Sequence, residues 1–157
     1  MIDIEKRLEI EDLYNQYGSC LDDGLLENWL ELFADKCSYK IMPRENFELG
    51  LPSALMLCEN KNMLVDRLVS LREANEFSVH RSKHIIANIH IKNFDNPNHL
   101  VVANYVMYHA DIEGNGSLFS FGSYNDTIIF VNGNPKFVDK IVVVENWSIP
   151  HMLSIPI

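Results

Sequence analysis

Apolar residues recur at helical spacing at the start of the chain. Ile10, Leu13, Tyr14, Tyr17, Cys20 and Leu21 fall on one arc about 120° wide, and Glu11, Asp12, Asn15 and Ser19 stand opposite. The pattern predicts a helix over 4–21. Asp22-Asp23-Gly24 ends it, with aspartates able to cap a following helix and a glycine that tolerates positive φ. A second, short helix is expected over 25–34, where Leu26, Trp29, Leu30 and Phe33 sit at i, i+3, i+4 and i+7. From Cys37 to Met42 the period falls toward two and predicts a strand stopping at Pro43. Ala54–Cys58 is a second candidate strand, beyond Gly50 and Pro52.

Helix gives way to sheet between Asn62 and Ile91. Leu64, Leu68 and Leu71 share a helical face with Val65 and Val69 beside them, while Asp66, Ser70 and Glu73 point away. Arg72 falls inside the apolar arc, where it needs a partner or a path to water for its head group. A basic run, His80-Arg81-Ser82-Lys83-His84, leads into strands expected over 83–93, 100–112, 117–131 and 136–147. Short turn-forming segments separate them: Asp95–Asn98, Glu113–Gly116 and Asn132–Pro135. Long strands joined this way make an antiparallel meander. In 100–109, Val102, Asn104, Val106 and Tyr108 take one face, and Val101, Ala103, Tyr105, Met107 and His109 the other. Both faces are substantially apolar, so one suits the helices and the other a partner subunit.

Helices first and a bent antiparallel sheet afterwards define an α+β fold. The order of elements resembles the nuclear-transport-factor-2-like cone, a curled sheet around helices with a pocket inside. That fold hosts enzymes and purely structural subunits alike. With 157 residues the chain is expected to be a single domain, 1–157, burying roughly two-thirds of its unfolded surface. A net charge of −9 argues against nucleic acid or an anionic membrane as partner. No apolar run approaches a membrane span, and the charged N-terminus is unlike a signal peptide. Three cysteines at irregular spacing suit a reducing cytoplasm.

A Rieske cluster needs Cys-x-His and Cys-x2-His pairs. Cys20, Cys37 and Cys58 are followed by Leu21-Asp22, Ser38-Tyr39 and Glu59-Asn60, and none fits. His80 and His84 lack a third ligand at a recognisable spacing for a mononuclear iron, so no metal is expected in this chain. Nucleophilic and phosphate-binding motifs are absent as well. Acid–base chemistry has one candidate. The end of the first helix and the strand after the central helix face the mouth of such a cone, where Asp22 and His84 can meet with Tyr14, Tyr39 or Tyr105. That resembles scytalone dehydratase and would make the chain a stand-alone dehydratase, isomerase or cyclase. The plainer reading makes Asp22 or Asp23 a helix cap and His84 a hydrogen-bonded core or interface histidine.

Several short runs stand in a telling order: Pro43-Arg44-Glu45-Asn46-Phe47-Glu48, Gly50-Leu51-Pro52, Asp66-Arg67, Arg72-Glu73-Ala74-Asn75, His80-Arg81 and His84-Ile85. Together they resemble the beta (small) subunits of aromatic-ring-hydroxylating dioxygenases, especially those of salicylate 5-hydroxylase and terephthalate dioxygenase. The likeness runs from Leu13 to Ile155-Pro156-Ile157. It implies a non-catalytic subunit that forms a trimeric stem under a trimer of large (alpha) subunits. The large subunit would hold a Rieske iron–sulfur cluster and a mononuclear iron, and this chain neither. The substrate would be an aromatic carboxylate of the salicylate, anthranilate, benzoate or terephthalate type. Arg67, Arg72, His80, Arg81, Lys140 and Glu145 are then the interface candidates. Lys140 and Glu145 depart from the Arg and Asp of those relatives, and Lys cannot reproduce a bidentate Arg contact.

Overall fold

The computed structural model describes residues 3–74, 80–147 and 156–157, with the side chains of Ala74 and His80 outside that description. Helix α1 (Ile4–Asp22) begins where the Asp3 carboxylate accepts the Glu5 N–H at 3.1 Å. Gly24, at φ +68°, turns the chain so that the Leu25 N–H reaches back to the Cys20 carbonyl at 2.8 Å. Helix α2 (Leu26–Leu30) is half the length its periodicity predicts. Phe33 leaves it to open β1 (Phe33–Pro43), where it sits across from Phe137, and the Phe137 N–H bonds Leu32. The ring still packs edge-on against Trp29 at 4.8 Å, so the apolar spacing was real while the backbone went to the sheet.

A one-turn helix, α3 (Arg44–Glu48), follows at once and was not anticipated. It buries no residue, so it leaves no periodic trace; an Arg44–Glu48 pair at 2.7 Å spans it. Then come β2 (Met56–Cys58), α4 (Lys61–Ala74), β3 (His80–Ile91), β4 (His99–Asp111), β5 (Gly116–Val131) and β6 (Asn134–Val144). On α4 the leucines at 64, 68 and 71 are buried as expected, but Val65 and Val69 are exposed. Arg72 is outside the buried stripe, exposed and ion-paired with Glu27 of α2.

The strands form one sheet in the order β2-β1-β6-β5-β4-β3. β3 to β6 are the predicted antiparallel meander. β1 joins β6 in parallel, with Tyr39 beside Lys140 and Ile41 beside Val142, and β2 lies antiparallel along β1 as a short edge. Helix α1 lies on the inner face, giving the α+β cone expected from the order of elements. Val101, Ala103, Tyr105, Met107 and His109 point inward from β4 and are buried. Inside, Tyr14, Tyr17, Trp29, Phe33, Tyr39, Tyr105, Tyr124 and Phe137 make an aromatic core. Gly18 lets α1 settle on β3, since a Cβ there would stand 3.3 Å from Ile86 Cδ1 and 3.4 Å from His84 Cβ.

Gly122 is tighter still. A Cβ on it would run into the Val143 carbonyl of the neighbouring strand, which is backbone and cannot swing aside. Gly122→Ala is therefore expected to cost about 3 kcal/mol, the top of the overpacking range. Urea unfolding followed by circular dichroism checks it, and a loss below about 1 kcal/mol would mean the ladder relaxes there.

Candidate functional site

Asp22 closes α1, and its side chain crosses to β3. One oxygen lies 2.6 Å from His84 Nδ1, and both oxygens accept the His84 backbone N–H at 3.1 and 3.0 Å. The side chains of His84 and Asp22 are only 1% and 5% exposed. β3 is an edge strand, so the carboxylate occupies a backbone donor that would otherwise be free to pair with another chain. Capping is not what Asp22 does: α2 starts at Leu26, its N-cap is Leu25, and no side chain caps it. His84 Nε2 is buried and has no hydrogen-bond partner among the described residues.

The tyrosines expected beside this pair are engaged elsewhere. Tyr39 accepts the Ile157 N–H at 3.0 Å and donates to the Ile157 backbone oxygen at 3.0 Å, where Tyr17 also donates at 2.5 Å. Tyr105 bonds Ser120 at 2.9 Å. Tyr14 donates to Asp126 at 2.5 Å.

Asp126 leads to the second buried polar group. Lys140 Nζ lies 2.8 Å from Asp126 Oδ2, with both side chains fully buried. Rings of Tyr124, Tyr17, Phe137 and Tyr14 surround the ammonium at 3.5, 4.2, 4.5 and 4.9 Å from their centroids. Burial pulls the lysine down to about 8, against the opposing charge of Asp126. Burial likewise raises the Asp126 carboxyl, although Lys140, Tyr14 and the Ile141 N–H favour its ionised form. The interface role expected for Lys140 is thus corrected. A residue with no exposed surface cannot reach a sister chain, and its charge is matched inside its own fold. Asp126 was missed in the sequence, yet phase would have found it, because Tyr124, Asp126 and Ile128 share one side of β5.

The other interface candidates do not gather in one place. Arg67 is half-buried on α4, and Arg72 is held by Glu27. Arg81 is exposed on β3. The side chain of His80 lies outside the described residues. Glu145 follows β6 and pairs with Arg44 at 2.9 Å. Among the described residues no cluster of three or more His, Cys, Asp or Glu is placed to hold a metal ion. No helix among them is long and apolar enough to cross a membrane.

The outer face carries apolar groups in register. Ile85, Val106 and Phe121 make one row across β3, β4 and β5, and Tyr108 pairs with Leu118 in the next. Ile85 is 56% exposed, Phe121 39%, and Trp147 just beyond β6 is 92% exposed. Nearer the β2 edge, a groove of about 500 Å³ runs between β1 and the loop after α3, lined by Lys40, Met42, Phe47, Leu51 and Leu57.

The family profile described as "Ring hydroxylating beta subunit" matches residues 18–151. This chain belongs to the ring-hydroxylating beta subunit family. The anthranilate 1,2-dioxygenase small subunit of Burkholderia cepacia is 33% identical to it over 155 residues, covering 99% of this chain and 96% of that one. Subunit beta 1 of the terminal oxygenase component of terephthalate 1,2-dioxygenase, from a Comamonas species, is 24% identical over 90% of this chain and 92% of its own length. Among solved structures, a beta subunit from Novosphingobium aromaticivorans DSM 12444, assigned to an aromatic-ring-hydroxylating dioxygenase, superposes with a TM-score of 0.88. It is 32% identical and covers 99% of this chain and 100% of that one. The resemblance read from the short motifs is therefore right at the level of the family, and this beta subunit is a component of an oxidoreductase.

Proposed function

We propose that this beta subunit is the scaffold of an oxygenase acting on an aromatic carboxylate. All 157 residues serve as one domain in a cytoplasmic complex. Copies of it form a trimeric stem, and large subunits carrying the Rieske cluster and the mononuclear iron stand on that stem. The family membership supports the reading, as do the aromatic-carboxylate names of the two relatives above. The structural observation that carries it is the outer face. Ile85, Tyr108, Leu118 and Phe121 spread apolar surface in register where a self-sufficient chain would place polar groups. Interface cores are built from such aromatic and aliphatic groups.

Phe121→Glu tests it. The substitution sets a carboxylate in the middle of the face without touching the inner core. Light scattering should show smaller assemblies with unchanged circular dichroism, and oxygenase activity of the co-expressed complex should fall about tenfold or more, as loss of a central anchor does. A variant complex of normal mass and activity would remove this face from the assembly.

A further inference from the structure

The groove beside the β2 edge is built in advance. Its floor follows from strand alternation. Tyr39 and Ile41 turn into the core and are buried, so Ser38, Lys40 and Met42 take the other side of β1, with Leu57 of β2 standing beside Lys40. The wall is α3 and the loop behind it. There the Asn46 carbonyl accepts the Leu51 N–H at 2.8 Å, and the Asn46 amide donates to the Ser53 carbonyl at 3.1 Å. Gly50, at φ +66°, makes the turn between them. The loop then rejoins the sheet, its Leu55 N–H on the Ile41 carbonyl at 2.7 Å. Because α3 grows directly out of β1, the wall is tied to the strand at both ends and little ordering is left for a ligand to impose.

The volume, about 500 Å³, is that of a small-molecule site, and such sites pair an apolar lining with a few placed polar groups. Phe47, Leu51 and Leu57 supply the apolar part, and they remain 36%, 45% and 38% exposed. Lys40 is the cation of the lining. Arg44, just beyond β1, is held by Glu48 and Glu145, and Lys140 is held by Asp126. Lys40 is half-buried and has no ion-pair partner among the described residues. With 22 acidic residues against 13 basic ones, carboxylates are not scarce, yet none is placed on it. Glu59, the other charge in the lining, stands two residues beyond Leu57 and is not paired with Lys40.

We propose that this groove binds a small apolar monocarboxylate, with the carboxylate on Lys40 Nζ and the ring or alkyl body between Phe47, Leu51 and Leu57. An ammonium offers three donors and no acceptor, and its bond to a carboxylate is charge-assisted. Glu59 repels a second negative charge, so a dicarboxylate is the poorer ligand. The site goes beyond the scaffold reading and does not depend on it, because Ile85, Tyr108, Leu118 and Phe121 line no part of the groove.

Calorimetric titration of benzoate and of benzyl alcohol into the full chain, assembled as it is purified, tests the proposal. The two probes share a ring and differ in charge. Benzoate should saturate the groove at one per chain and bind about tenfold more tightly than benzyl alcohol, as one charge-assisted hydrogen bond predicts. Lys40→Met should erase that preference with circular dichroism unchanged, and Lys40→Arg should keep it. Any benzoate bound by a co-purified large subunit is common to all three proteins, so the part that depends on Lys40 reads this groove alone. Methyl resonances of the methionines locate the site: benzoate should shift the Met42 signal, and Leu57→Trp, which fills the groove, should abolish the shift. Equal affinity for the two probes, benzoate binding unchanged in Lys40→Met, or a Met42 signal that stays still would each overturn the site.

Discussion

Asp126→Asn will destabilise this beta subunit by about 3–5 kcal/mol, a large share of a domain's total stability. The reason is Lys140, whose ammonium is fully buried and has Asp126 as its ion-pair partner. The four rings around it offer their faces, each worth about 0.5–2 kcal/mol, but none can accept a strong charge-assisted bond. Removing the carboxylate leaves a buried charge that must lose its proton or open the core. Asparagine keeps one acceptor oxygen where the carboxylate had two, so either the Tyr14 hydroxyl or the Ile141 N–H also loses its partner. Lys140→Met alone should cost a similar amount by stranding Asp126. The double variant, Asp126→Asn with Lys140→Met, should recover most of the loss, because it removes both charges from a low-dielectric site. Urea unfolding of all four proteins closes the double-mutant cycle. A coupling below about 1 kcal/mol would mean that water reaches the pair and that the site is not dry.

That ion pair also marks the limit of what the amino-acid pattern made legible. Helix α1 could be read because six apolar positions repeat at one period, and five of those six, from Ile10 to Leu21, are buried. The meander could be read because its turns carry Asn, Gly and Pro at the right spacing, and the two faces of β4 came out as alternation requires. What stayed hidden was non-local or unpatterned. The parallel pairing of β1 with β6 joins residues a hundred positions apart, and no short-range signal encodes it. Helix α3 is one exposed turn with no apolar stripe. Lys140 was expected at an interface because the family resemblance put a charged contact there; its phase with Val142 and Val144 on β6 was the contrary signal. At Asp22 two explanations competed, local capping and long-range pairing. Capping lost because the chain turns at Gly24 and Leu25, which leaves the carboxylate free to reach β3.

The two faces of the sheet divide the molecule's work. The inner face holds the polar groups that need burial to be kept in place, and the outer face holds the apolar groups in excess of what one chain can cover. Substitutions should sort accordingly. Inner ones, such as those at Asp126, lower the stability of every form of the protein. Outer ones, such as Phe121→Glu, leave the chain folded and weaken assembly.

Alkaline pH should unfold this beta subunit abruptly above about pH 10, the ordinary tyrosine range. Tyr14, Tyr17, Tyr39, Tyr105 and Tyr124 all have their phenols pushed up, in each case chiefly by burial. In the folded chain these five keep their protons above pH 10, whereas in the unfolded chain they release them. The unfolded state then binds fewer protons, so stability falls as pH rises. Each such group contributes about 1.4 kcal/mol per pH unit, and five together give a slope of about 7 kcal/mol per unit. Lys140 acts with the opposite sign. Its folded-state value is pulled down to about 8, so the unfolded chain binds the extra proton between there and about 10.4. That one group raises stability with pH over that window. One lysine is set against three thiols, since burial also pushes up Cys20, Cys37 and Cys58, so the profile should stop climbing near the ordinary thiol range of about 8.5 and then collapse beyond about pH 10. Tyrosinate absorbance at about 295 nm, recorded alongside far-ultraviolet circular dichroism, reads both events, since a phenol absorbs there only once its proton has left. The five tyrosinates should appear in the same narrow interval in which the native dichroism is lost. If they appeared while the dichroism stayed native, the interior would be open to solvent, and the dry aromatic core that buries Lys140 and orients His84 would not exist.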